Sequence, residues 1–118
     1  MKITQAFGFE SAHFLPNVAL THRCHAMHGH SYRVELKVDG PIDPMTGFVV
    51  DFFDIESAFR PLLAMLDHHC LNEIEGLENP TAELIAIWIF TRVKKALPQL
   101  FGVIVYETKD CYAEYYSE

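Results

Sequence analysis

Four of the seven histidines in this 118-residue chain fall within nine residues, His22-Arg-Cys-His25-Ala-Met-His28-Gly-His30, around a cysteine. Imidazole nitrogens and thiolate sulfur are the ligands zinc prefers, so the stretch reads first as a metal site. His28 and His30 are separated by one glycine. On an extended backbone, side chains repeat every two residues, so these two imidazoles leave on the same face and can share one ion.

A third histidine joins them if the flanking segments pair. Residues 3–14 read as a strand with Ile3, Phe7, Phe9 and His13 on one parity. Residues 30–39 alternate more cleanly, with Tyr32, Val34, Leu36 and Val38 opposite Arg33, Glu35, Lys37 and Asp39, and they close at Gly40-Pro41. His28 and His30 continue the apolar parity. Antiparallel pairing of the two strands carries His13 toward His28 and His30 on one face. Three histidines leave the fourth tetrahedral position open, as in catalytic zinc sites. The alternative is a closed structural site in which Cys24 and His28 are joint ligands.

Cys24 stands among His22, Arg23 and His25, a positive setting that favours thiolate and makes the residue a candidate base or nucleophile. The loop that carries it, residues 15–27, is long for a hairpin connection, and long ordered loops are commonly functional. Asp67-His68-His69 offers a carboxylate beside an imidazole, able to take and pass a proton or simply to end a helix with polar groups. Glu107 closes the apolar run Val103-Ile-Val-Tyr; a carboxylate buried there needs a strong partner, such as the paired N–H groups of a guanidine-like ring edge. Cys70 and Cys111 read as small buried hydrophobes.

The elements that must position these groups fit one domain, residues 1–118, because 50% hydrophobic residues suffice to bury one core at this length. The apolar run Phe48 to Phe53 reads as a third strand. A helix is expected from Asp54, with Ile55, Ala58, Phe59, Leu62 and Leu66 at helical spacing and Pro61 kinking or breaking it. A second helix is expected with Asn79 as cap and Pro80 at its first position, running to about Leu97. Its stretch Leu84 to Phe90 is apolar on nearly all sides, which points to an oligomer contact or a deep core. Two more strands, Val103 to Thr108 and Tyr112 to Tyr116, complete an α+β layout: an antiparallel sheet with two helices packed on one face.

A net charge of −7 with no run of Lys or Arg argues against nucleic acid or an anionic membrane as partner. No segment approaches roughly 18 uninterrupted apolar residues, and the first ten residues lack a signal-peptide pattern. Three cysteines in no paired framework fit reduced thiols, so a cytoplasmic location is expected.

The motifs Phe9-Glu-Ser-Ala-His13-Phe-Leu-Pro16, Cys24-x-x-x-His28-Gly-His30-Ser-Tyr32, Thr46-Gly47-x-x-x-Asp51-Phe52, Leu66-Asp67-His68-His69-x-Leu71-Asn72, Glu78-Asn79-Pro80-Thr81-x-Glu83 and Glu107-Thr108 occur in order along nearly the whole chain. Together they resemble the 6-pyruvoyl-tetrahydropterin synthase family. The spacing from Cys24 to His28 is similar to that of its bacterial carboxy-forming branch, which serves queuosine biosynthesis; the pyruvoyl-forming enzymes place two more residues there.

The resemblance implies the tunnelling fold, with sheets joined into a trimeric barrel and two trimers stacked as a homohexamer. It also implies zinc as cofactor and 7,8-dihydroneopterin triphosphate as substrate, with 6-carboxytetrahydropterin, acetaldehyde and triphosphate as products. His13, His28 and His30 then match the zinc ligands, Cys24 the catalytic base, Asp67 and His68 its relay partners, Glu107 the acid anchoring the pterin ring, and Thr81 a further substrate contact. His22, Arg23 and His25 are left as a positive mouth for the triphosphate. The segment Lys109 to Tyr116 matches nothing in the family closely.

Overall fold

A computed structural model describes residues 1–117. Four strands, β1 (Lys2–His13), β2 (His28–Asp39), β3 (Leu100–Tyr106) and β4 (Tyr112–Tyr116), form one antiparallel sheet in the order β1-β2-β3-β4. Two helices, α1 (Phe52–Leu66) and α2 (Ala82–Ala96), cover one face of it. The α+β layout expected from the pattern is the one found.

Hydrophobic alternation sets the register. On β2, Tyr32, Val34, Leu36 and Val38 are buried, while Arg33 and Asp39 are exposed and Glu35 and Lys37 half-buried. A slip of one residue would invert every one of these positions, so the β1–β2 ladder is held in a single register from Lys2↔Asp39 to His13↔His28. The inward side chains meet Phe59 and Ile55 of α1 and Ile85, Ile89 and Val93 of α2 in one core. Strand β3 is buried along most of its length, because β2 and β4 flank it and α2 lies over it.

Three expectations are corrected. Phe48 to Phe53 is not a strand. The Asp51 carboxylate accepts from the Phe53 amide at 2.9 Å and caps a helix that starts at Phe52, two residues before Asp54. Val49 and Val50 pack against the core without strand pairing. Of the two outcomes expected at Pro61 the break is absent, because α1 runs through it as one helix; Ser57, whose carbonyl loses its helical donor there, is exposed.

Helix α2 begins at Ala82 with Thr81 as its cap, not at Pro80 with Asn79. The Thr81 hydroxyl accepts from the Leu84 amide at 3.2 Å. Pro80 is thereby left outside the helix, with its carbonyl free for another partner. Of the apolar stretch Leu84 to Phe90, Leu84 and Ile87 are exposed and the other five residues buried, so the excess apolar surface is narrower than the sequence suggests.

Phe59 is fully buried between the sheet and the helices and packs against Phe7 with ring centroids 4.9 Å apart. Phe59→Ala is expected to lower unfolding stability by about 3–5 kcal/mol, read by chemical denaturation; a loss below about 1 kcal/mol would contradict this packing.

Candidate metal centre

His13 ends β1 and His28 opens β2, and the ladder sets them directly opposite each other. His30 follows on the same parity as His28, opposite Ser11. One ligand nitrogen from each of the three rings lies within 4.8 Å of the others. The convergence expected from strand parity is therefore present.

Two backbone carbonyls decide which nitrogens face inward. His13 Nδ1 lies 2.8 Å from the carbonyl of Pro80, and His28 Nδ1 lies 2.8 Å from that of Ala26. A carbonyl only accepts, so both Nδ1 atoms carry the proton and donate. Each neutral ring then presents an unprotonated Nε2. The two Nε2 atoms stand 2.9 Å apart. Two lone pairs at that distance require a cation between them, either a proton or a metal ion.

The surroundings disfavour the proton. His13 is buried, and desolvation holds its pKa below the ordinary histidine value, outweighing the opposing effect of the Pro80 hydrogen bond. His30 is shifted the same way by burial. Its Nε2 is buried with no hydrogen-bond partner, and the Glu107 carboxylate stands 3.7 Å away. Three imidazoles, two held by carbonyls and one with an orphaned nitrogen, fit a divalent ion such as zinc. Cys24 and Glu107 lie outside this three-residue cluster, so the donor set leaves a coordination position for another ligand.

Beside the cluster opens a cavity of about 370 Å³ lined by Arg23, Cys24, His28, His30, Glu107 and Cys111. Cys24 sits in a short 3-10 turn, Arg23–His25, whose first amide bonds are organised by His22: its Nδ1 accepts from the Cys24 amide at 3.0 Å. His22 thus shapes the cysteine loop, and Arg23 is the basic residue of the trio that lines the cavity. Tyr32 lies below with its ring edge-on to His13 and His30. Its buried hydroxyl is unpartnered, and burial raises its pKa. A larger cleft of about 570 Å³ lies at the far end of the long hairpin, between Val49, Asp54, Leu97 and Gln99, without a converging set of ligands.

Asp67 and His68 are held elsewhere. The Asp67 carboxylate accepts from the Glu10 amide at 2.9 Å and lies 3.0 Å from His68 Nδ1. These contacts, led by the Glu10 amide, keep its pKa below the ordinary carboxylate value. The His68 amide donates to the Glu10 carbonyl at 2.6 Å, and the residue adopts a left-handed backbone with φ 58°. The pair therefore docks on the outer edge of β1, with the His68 side chain 78% exposed. Neither Asp67 nor His68 is among the residues lining the cavity that Cys24 and Glu107 share with the β3–β4 turn.

The sequence of the chain from residue 2 to 118 matches the family model described as 6-pyruvoyl tetrahydropterin synthase. The chain belongs to that family. A protein of Synechocystis sp. named 6-carboxy-5,6,7,8-tetrahydropterin synthase is 40% identical, the match covering 98% of this chain and 92% of the relative. The human 6-pyruvoyl tetrahydrobiopterin synthase is 29% identical over 99% of this chain and 92% of its own. The solved 6-pyruvoyl tetrahydropterin synthase of Caenorhabditis elegans superposes with a TM-score of 0.92 at 24% identity, covering 100% of this chain and 96% of that one, and shares its fold. The chain is thus a pterin-processing enzyme of tunnelling fold. Among the described residues, no helix is long and apolar enough to cross a membrane.

Sequence reasoning missed three contributors. The Pro80 and Ala26 carbonyls carry no side-chain signal, although Thr81, a strong N-cap type, was the available hint that Pro80 precedes the helix. Cys111 is exposed and lines the cavity, and Cys70 is half-buried with its sulfur 3.9 Å from that of Met27, so neither is the buried hydrophobe expected.

Loading the protein with cobalt(II) is expected to give the visible spectrum of a four-coordinate all-nitrogen and oxygen site, unchanged by Cys24→Ala. A sulfur-to-cobalt charge-transfer band that Cys24→Ala removes would make the cysteine a ligand and the site structural.

Proposed function

We propose that the chain is a zinc-dependent 6-carboxytetrahydropterin synthase. It converts 7,8-dihydroneopterin triphosphate to 6-carboxytetrahydropterin with release of acetaldehyde and triphosphate, a step of queuosine-type 7-deazapurine biosynthesis in the cytoplasm. The observation that carries this reading is a three-histidine cluster, His13, His28 and His30, two of whose members line one cavity with a cysteine outside the cluster and a carboxylate. The 40% identity to a relative of that name, against 29% to the human pyruvoyl enzyme, favours the carboxy-forming branch over a 6-pyruvoyl-tetrahydropterin synthase.

His13, His28 and His30 would hold the zinc ion, which would supply Lewis-acid polarisation of the substrate's side-chain oxygens and so acidify the neighbouring C–H bonds. Cys24 takes a proton from the side-chain carbon presented to it, the role its place on the cavity wall permits. Glu107 accepts the paired N–H groups of the pterin's guanidine-like edge and fixes which carbon faces the base. Arg23 at the mouth offers the positive charge that a triphosphate needs in an acidic chain. Thr81 contributes a hydroxyl hydrogen near the ring; its oxygen already accepts from the helix.

The relay comes from a second copy in this reading. β1 and β4 are the two edges of the sheet. Asp67 and His68 sit on the β1 edge, while Glu107 and Cys111 flank the β3–β4 turn. Joining the β1 edge of one copy to the β4 edge of the next closes a barrel without free edges and brings His68 of one chain toward Cys24 of its neighbour. A trimeric barrel, stacked in pairs as a homohexamer, meets this demand.

Incubation of the zinc-loaded protein with dihydroneopterin triphosphate is expected to yield acetaldehyde. A pyruvoyl product without acetaldehyde would assign the other branch. Cys24→Ala is expected to keep its zinc and lose roughly 10²–10⁴-fold in turnover; lost zinc and lost folding together would favour a non-catalytic zinc module. Mixing inactive Cys24→Ala with inactive His68→Ala subunits is expected to restore about a quarter of the sites, the share for random assembly, and no recovery would place both groups in one chain.

A further inference from the structure

Two thiols, not one, line the cavity beside the histidine cluster. Cys24 and Cys111 both line it, together with His28, His30 and Glu107. All three cysteines are free. Both backbones are anchored: the Cys24 carbonyl accepts from the Leu15 amide at 2.9 Å, and the Cys111 carbonyl accepts from the Glu107 amide at 3.0 Å. Cys111 is exposed, in a hairpin turn whose residues Thr108 to Tyr112 are all exposed, whereas Cys24 is only partly accessible. Neither sulfur has a hydrogen-bond partner among the described residues, in contrast to Cys70, whose thiol lies 3.9 Å from the Met27 sulfur and 3.8 Å from the Asn72 side chain.

We propose that Cys111 is a resolving thiol for Cys24, so that peroxide closes a reversible disulfide across the mouth of the site. The Cys24 sulfur attacks hydrogen peroxide, breaking its O–O bond and becoming a sulfenic acid while one water leaves. The Cys111 sulfur then attacks the sulfenic sulfur, the S–O bond breaks, and the departing hydroxide takes the thiol proton as a second water. The two thiols lose two electrons and two protons, and peroxide accepts them. Closure brings the two Cα atoms to about 5–6 Å. The consequence for turnover rests on the reading of Cys24 as the base; the disulfide itself does not.

The test uses the full-length zinc-loaded protein, titrated with hydrogen peroxide and followed by intact mass and tryptic mapping. The expected result is loss of two hydrogens, a linked pair of peptides Cys24–Arg33 and Asp110–Glu118, and full reversal by dithiothreitol. In Cys111→Ser, the same dose is expected to drive Cys24 to the sulfinic and sulfonic acids, which dithiothreitol does not reverse. In Cys70→Ser, the linked pair persists. Oxygen addition to Cys24 at an equal rate with and without Cys111, or a link from Cys24 to Cys70 or to Cys24 of another copy, would overturn the proposal. Failure of the pterin assay leaves these mass readouts standing, so the two claims fail separately.

Discussion

The carbonyl oxygens of Pro80 and Ala26 each accept a hydrogen bond from an imidazole, and those two bonds determine what the centre can be. By holding the protons of His13 and His28 on Nδ1, they turn both Nε2 lone pairs inward to a separation of 2.9 Å. Burial of His13 makes a shared proton a poor answer to that arrangement. Much of the surrounding structure serves to keep the two carbonyls in place. Thr81, rather than Asn79, caps α2 and so leaves Pro80 outside the helix, and the 3-10 turn at Arg23–His25 delivers Ala26 to the start of β2.

The long β1–β2 ladder supplies the rest of the precision. Twelve consecutive pairs in one register fix His13 opposite His28, and the buried alternation on β2 forbids a slip. The end of the ladder at His13 and His28 carries the histidine cluster, while the apolar core lies further along the strands beneath α1 and α2. The site therefore stands on a rigid scaffold, but its cysteine and its glutamate stand on a loop and a turn. In the proposed reaction the three histidines would hold the ion from the ladder, while Cys24 and Glu107 act from a loop and a turn.

Strand parity makes the convergence of three histidines legible in the sequence, because His13, His28 and His30 each occupy positions otherwise filled by apolar side chains. The same reasoning misplaced Phe48 to Phe53, where a six-residue apolar run looks like a strand whether or not a partner exists; Asp51 as a helix cap outweighed it. Asn79-Pro80 looked like a helix start, since asparagine caps and proline tolerates the first turn. Thr81 took the cap instead, and the choice mattered because it released the Pro80 carbonyl to His13. Backbone groups, the docking of Asp67 and His68 on Glu10 of β1, and the exposure of Cys111 depend on tertiary placement, and periodicity carries no trace of it.

The central claim is that tautomer-locked Nε2 atoms of His13 and His28 share a metal ion with His30. Nitrogen-15 NMR of the imidazoles, recorded with and without one equivalent of zinc, reads both proton position and coordination directly. The account predicts protonated Nδ1 on His13 and His28 in both states, with Nε2 of each shifted on zinc addition. Coordination through Nδ1, or Nε2 signals that zinc leaves unmoved, would contradict it.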